Sequence, residues 1–252
     1  MTKQFYIDKD DIQDLIPNLG AGIASDQIMV DGAKIQFMYR GEPENEMDSG
    51  WCFFSGGESD EYLDDPENTS IFTLNTISNY DSDIIPFLSY PVGTEVQRNQ
   101  QGQFMIIEGD TSPPDVIFLP PIQSGFSSIS KFWTVQIPFN MYRRVEKDSI
   151  VLWTKEVTIW LNELPSNDFS IKDNTKRLLK HISPKCTHIK TREEQDFNVV
   201  SYQLTEDNEG HPQHSLTIFG ISALNQMVLT IYYENLSDLS ILENISKSLR
   251  LV

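Results

Sequence analysis

Gly50-Trp51-Cys52-Phe53-Phe54-Ser55-Gly56-Gly57-Glu58-Ser59-Asp60-Glu61-Tyr62-Leu63-Asp64-Asp65-Pro66-Glu67-Asn68 sets aromatic residues and glycines beside a dense row of carboxylates. The stretch reads as a strand running into an acidic loop. From Glu42 to Glu67 there are ten Asp or Glu and no Lys or Arg, so the segment cannot neutralise itself and faces water, a cation or a basic partner. Trp51, Phe53, Phe54 and Tyr62 distinguish it from a disordered acidic tail, which lacks the aromatic content that ties a chain to a core. Gly50, Gly56 and Gly57 permit backbone geometries closed to other residues. Arg40 is the nearest basic group able to pin a carboxylate.

Working outward, the charge is unevenly distributed. Residues 1–118 hold 22 acidic against 5 basic side chains, and residues 119–252 hold 15 against 14, within a total net charge of −18. An acidic half of this kind repels nucleic acid and anionic membrane and favours cations or basic protein surfaces. Met1 to Asp11 carry no basic region followed by an apolar run, and no apolar stretch of 18 residues exists, so neither a secretory leader nor a membrane span is expected. Cys52 and Cys186 lie far apart, which suits reduced thiols in a cytoplasm.

On the N-terminal side, Ile12, Leu15, Ile16 and Leu19 at helical spacing predict a first helix over 8–19. Ile23, Ile28, Val30, Ile35, Phe37 and Tyr39 flank Asp31-Gly32 and predict a strand pair, the second strand delivering Arg40 to the acidic loop. Residues 71–77 fit a strand or a short helix, Asp81 to Leu88 a short capped helix, and Phe104 to Ile107 the last strand of this half. Residues 111–125, with Pro113, Pro114, Pro120 and Pro121, predict an extended connector between domains 1–110 and 126–252. In the second half, runs at 132–137, 150–153, 157–161, 198–204, 215–221 and 227–233 predict antiparallel strands. Lys172 to Ile182 and the stretch opened by Ser237-Asp238-Leu239 predict helices. The expected fold class is α+β, two domains, each a mainly antiparallel sheet with packed helices.

The chain has no GxxxxGK[ST] loop, no GxGxxG after a strand, no HExxH, no GxSxG and no CxxC, so no enzyme signature is read and no catalytic residue, cofactor or metal is expected. His211-x-x-His214 sits in the Gly210-Pro212 turn without further ligands in view. Glu58, Asp60, Glu61, Asp64 and Asp65 are hard oxygen donors, but the spacing of a calcium loop is missing. A rigid acidic surface instead suits a basic cleft, where long-range attraction speeds association. The candidate partner-binding set is Arg40, Trp51, Glu58, Asp60, Glu61, Tyr62, Asp64 and Asp65, with Arg40 as a brace and the aromatic members equally readable as core.

Tyr39-Arg40-x-Glu42-Pro43, then Asp48-Ser49-Gly50-Trp51-x-Phe53-Phe54-Ser55-Gly56-x-Glu58-x-Asp60-Glu61-Tyr62-x-Asp64-x-Pro66-x-Asn68, resembles the signature of a small bacterial domain family classed among the immunity proteins of polymorphic toxin systems. The resemblance takes in Gly22-Ile23-Ala24-Ser25 and Asp83-Ile84-Ile85-Pro86 and covers about residues 5–108. Cys52 stands where an arginine is usual and Gly57 where an acid is usual. The resemblance implies a non-enzymatic cytoplasmic protein that binds and neutralises a cognate protein toxin, one with a basic surface on the charge argument above. The second half is similar in pattern to PsbP-like α/β sandwiches, which carries no function. Two other readings remain at this level: a divalent-metal-binding or hydrolytic enzyme using the loop carboxylates, and a general protein-interaction module.

Overall fold

The Pro-rich stretch holds the division of the chain into two units, Met1–Pro120 and Pro121–Val252. The structure, a computed structural model, describes residues 3–165, 167–235, 237 and 239–252. The class is α+β, with mostly antiparallel strands and few helices.

Unit 1 consists of β1 (Ala21–Ser25), α1 (Asp26–Met29), β2 (Phe37–Arg40), β3 (Asp48–Phe54), α2 (Asp60–Leu63), β4 (Thr69–Thr73), α3 (Leu74–Tyr80), β5 (Glu95–Arg98) and β6 (Phe104–Glu108). The strands form one sheet in the order β4-β1-β3-β2-β5-β6. β1 runs parallel to β3 and antiparallel to β4. Because side chains alternate across a sheet, Ala24, Met38, Trp51, Phe53 and Val96 all point to one face, where they are fully buried with Ile28, Leu74, Ile77, Ile84 and Ile85. Trp51 Nε1 donates to the Leu88 carbonyl at 3.2 Å, so the largest core side chain leaves no buried donor unpaired. Gly50 lets β2 and β3 approach at their open end. Its φ is +76°, and a Cβ there would lie 2.2 Å from the Gly41 carbonyl oxygen.

Two local expectations are corrected. No helix spans 8–19: only Lys9–Asp11 forms a 3-10 turn, and the rest is irregular. Pro17 disfavours helix for the residue before it. Asn75 and Asn79 of α3 supply the competing partners: Asn79 Oδ1 accepts from the Gln13 N–H at 2.8 Å, and Asn75 Oδ1 accepts from Leu15 and Ile16 at 2.8 and 3.2 Å. β1 and β2 are not a hairpin either. β3 lies between them, and Ile28 lies on α1 next to Met29, both at 0 % exposure, an adjacency that one face of a strand cannot bury. Residues 71–77 contain both options, since β4 ends where Thr73 caps α3 by accepting from the Thr76 N–H at 3.1 Å. The Asp81–Leu88 expectation corresponds to a 3-10 helix, Ser82–Phe87, capped by Asp81.

The remainder comprises β7 (Val116–Ile122), β8 (Gly125–Ser128), β9 (Trp133–Ile137), β10 (Met141–Glu146), β11 (Ser149–Trp153), β12 (Val157–Pro165), α4 (Ile171–His181), β13 (Thr187–Glu193), β14 (Phe197–Asn208), β15 (His211–Ser222), β16 (Asn225–Tyr233), α5 (Leu239–Ser248) and β17 (Arg250–Leu251). The large sheet runs β13-β14-β15-β16-β12-β11-β10-β7, and a small one β17-β9-β8. β7 shows that 111–125 is not simply an extended connector: the division falls inside a strand. Trp133 is the centre of the unit 2 core, with its indole N–H donating to Asn225 Oδ1 at 2.6 Å and its ring edge-on to Phe197 at 5.6 Å. Ser170 caps α4, accepting from the Asp173 N–H at 3.1 Å. The start expected for the last helix falls partly on Asp238, outside the described residues. The PsbP-like likeness of this half stays one of sequence pattern.

Candidate functional site

The second face of the unit 1 sheet is open. Ile71 of β4, Ile23 of β1, Cys52 and Phe54 of β3, Phe37 and Tyr39 of β2, and Met105 and Ile107 of β6 all project from it. Ile71 is 73 % exposed and Met105 and Ile107 are 54 % exposed. The registers Ile23↔Ile71, Ile23↔Cys52, Tyr39↔Cys52 and Phe37↔Phe54 make the row continuous from β4 to β2, and Glu95 and Gln97 of β5 separate it from Met105 and Ile107. Tyr39 stacks on Phe54 with ring centroids 6.0 Å apart and planes 12° apart, and Phe37 lies 6.3 Å from Phe54. A sheet apolar on both faces with only one face covered is the usual mark of an interaction surface.

β3 carries an acidic segment at each end of this face, Glu42–Asp48 before it and Glu58–Glu67 after it. The second is a built loop. Ser59 caps α2 by accepting from the Tyr62 N–H at 3.2 Å, Asp65 accepts from the Glu67 N–H at 3.0 Å, and Asn68 Nδ2 donates to the Tyr62 carbonyl at 2.9 Å. Lys3 ties the N-terminal segment to Asp26 at 2.7 Å and to the Glu67 carbonyl. Asp60, Glu61, Asp64 and Asp65 point into solvent, and none of the ion pairs among the described residues reaches them.

Glu58 turns inward. Burial opposes its charge, but the Ser25 hydroxyl and the Ser55 N–H, the latter at 2.8 Å, donate to it and hold its carboxyl below the usual range. Tyr62 is half-buried, and burial pushes its hydroxyl up. Trp51 is 0 % exposed, which decides between its two readings: it is core, and it acts on the surface only by fixing β3. Arg40 is a brace, though not of a loop carboxylate. Its guanidinium donates to the carbonyls of Ser49 at 2.9 Å and Tyr90 at 2.6 Å and bonds no loop carboxylate, so it braces backbone.

Between Glu42–Asp48 and the aromatic row lies a cleft of about 420 Å³. Its lining includes apolar Ile23, Ile71 and Tyr39, Gly50 and Cys52 of β3, and Glu42, Glu44, Met47 and Asp48, of which Glu42, Glu44 and Met47 are exposed. Asp48 accepts from the N–H groups of Glu44 at 2.9 Å and Gly50 at 2.8 Å, which hold its carboxyl below the usual range. Tyr39 is pushed up to about 12, first by its hydrogen bond with Cys52 and then by burial; burial pushes the Cys52 thiol up. Both cysteines are free.

The alternation through Phe37 and Tyr39 predicts a strand without saying which of its faces is covered. The signal was available in Met38 and Phe53, apolar residues at the opposite parity, which mark β2 and β3 as apolar on both sides.

Elsewhere, His214 stacks on Tyr233 at 5.7 Å and bonds Thr205 Oγ1 at 3.0 Å, while His211 begins β15. Among the described residues no three His, Cys, Asp or Glu side chains converge to hold a metal ion. No helix there is long and apolar enough to cross a membrane.

No curated protein matches the chain. Residues 22–108, which carry the open sheet face, both acidic segments and the cleft while leaving unit 2 outside, match the sequence model of the Immunity protein Imm33 domain, and in this stretch the chain is similar to the immunity proteins of that family.

Proposed function

We propose that this protein is a bacterial cytoplasmic immunity protein that neutralises a cognate protein toxin by binding it through the open face of the unit 1 sheet. The observation that carries the reading is the layout of that face within the matched residues 22–108: an uncovered aromatic and aliphatic row with a rigid acidic segment at each end of β3. Apolar anchors at the centre and charge at the rim are the anatomy of a tight protein interface. Exposed Asp60, Glu61, Asp64 and Asp65 face a basic surface on the toxin, while Glu58, Tyr62, Trp51 and Arg40 hold the loop and strand that present them. The role needs no catalytic step, cofactor, nucleic acid or membrane.

The test is capture of partners from the native host by the tagged protein at low and moderate salt. The expected result is a stoichiometric basic partner whose expression arrests cells lacking this protein. Reversing the charges of Asp60, Glu61 and Asp64 together should then abolish protection with the fold intact. Absence of any such partner at both salts overturns the reading.

A further inference from the structure

The 420 Å³ cleft sits at the lower end of the roughly 300–1,000 Å³ spanned by small-ligand pockets, room for a side chain or two and not for an element of secondary structure. Its chemistry is split. Ile23 and Ile71, paired across β1 and β4, give an apolar wall, and Tyr39 offers an aromatic one. The mouth carries Glu42 and Glu44, both exposed, and the Asp48 carboxylate. Among the described residues no Lys or Arg lines it. The nearest candidate, Arg40, points to the opposite face, where the Ser49 and Tyr90 carbonyls hold it.

These features select an occupant. An anion is repelled by three carboxylates. An apolar side chain fits the wall but strips water from the rim without replacing its hydrogen bonds. A long apolar stem ending in a cation satisfies both halves. A planar guanidinium does so better than an ammonium, because it stacks on the Tyr39 ring while its N–H fork reaches carboxylate oxygens. Resting on the toxin-binding reading above, we propose that this cleft is the anchor subsite of the interface and takes an arginine side chain of the partner, its stem along Ile23 and Ile71 and its guanidinium between Tyr39 and the carboxylates of Glu42, Glu44 and Asp48.

The full chain, labelled at Ile and Met methyl groups, is titrated with Nα-acetyl-L-arginine amide and, separately, with the citrulline, lysine and leucine amides. The expected result is saturable shifts of the Ile23, Ile71 and Met47 methyls by the arginine amide at roughly millimolar concentration, the affinity of one anchoring side chain. The uncharged citrulline isostere should leave them unmoved. The variant Glu42→Gln/Glu44→Gln, altered only at exposed side chains, should weaken the arginine response about tenfold. Equal shifts by citrulline or leucine, a stronger response to lysine, or no saturable shift overturns the assignment. If the arginine amide fails while host capture yields a toxin, the cleft assignment falls and the immunity reading stands. If arginine binds and no toxin is captured, the immunity reading falls and the arginine site remains.

Discussion

Glu58 and Asp60 are two residues apart in one acidic run, yet they have different roles. Asp60 opens α2 in solvent, whereas Glu58 is fixed by Ser25 of β1 and the Ser55 amide. The distinction depends on a strand 33 residues away, so no local pattern could assign it; the loop's existence was legible, its inward member was not. The folded carboxyl of Glu58 sits below its ordinary value, so its contribution to loop stability is present above that ordinary value, about 4.3, and is lost as pH falls through the folded one. The Ser55 amide shift should therefore titrate below about 4.3, and Glu58→Gln should remove that titration and loosen the loop at neutral pH. A Ser55 midpoint at or above the ordinary value would contradict this account.

At the scale of elements, the legible ones bury a clear apolar stripe. β9, β11, β12, β14, β15, β16 and α5 follow from alternation or helical spacing, whereas α4 is legible from its spacing although the residues it buries are Asn174 and Thr175. β5 (Glu95–Arg98), β10 (Met141–Glu146) and β13 (Thr187–Glu193) did not, because they are short or charged and owe their state to backbone pairing with neighbours. The segment 8–19 is the opposite failure. Its apolar spacing is helical, but Asn75 takes the backbone donors that a helix would use and returns a bond from Nδ2 to the Gln13 carbonyl at 2.9 Å. Asn75→Ala leaves the Leu15 and Ile16 amides without partners beneath a buried Ile16. The expected cost is about 1–3 kcal/mol, read in the melting of unit 1. Hydrogen exchange at Leu15 and Ile16 should accelerate while amides around Trp133 in unit 2 keep their protection. Unchanged exchange at those two amides would show that the asparagine does not hold the segment.

At the scale of the whole molecule, the charge asymmetry visible in composition coincides with the division of the chain: all the excess of acid over base in residues 1–118 lies in unit 1, and unit 2 is close to neutral. A field of this kind acts on encounter more than on the final contact, raising association rates at low salt and fading as the Debye length shrinks. Two triple variants of the full chain separate this from a general effect of charge. Asp60→Asn/Glu61→Gln/Asp64→Asn removes three exposed carboxylates from unit 1, and Glu156→Gln/Asp168→Asn/Glu206→Gln removes three exposed ones from unit 2. With the captured partner, the first should slow association roughly tenfold at low salt and converge on the parent protein near about 0.5 M salt, with dissociation little changed. The second should follow the parent at every salt. If the unit 2 variant slows association as much as the unit 1 variant, steering belongs to total charge and not to the acidic face. If the unit 1 variant dissociates faster at high salt without associating more slowly at low salt, its carboxylates are buried contacts of the interface and not its electrostatic guide.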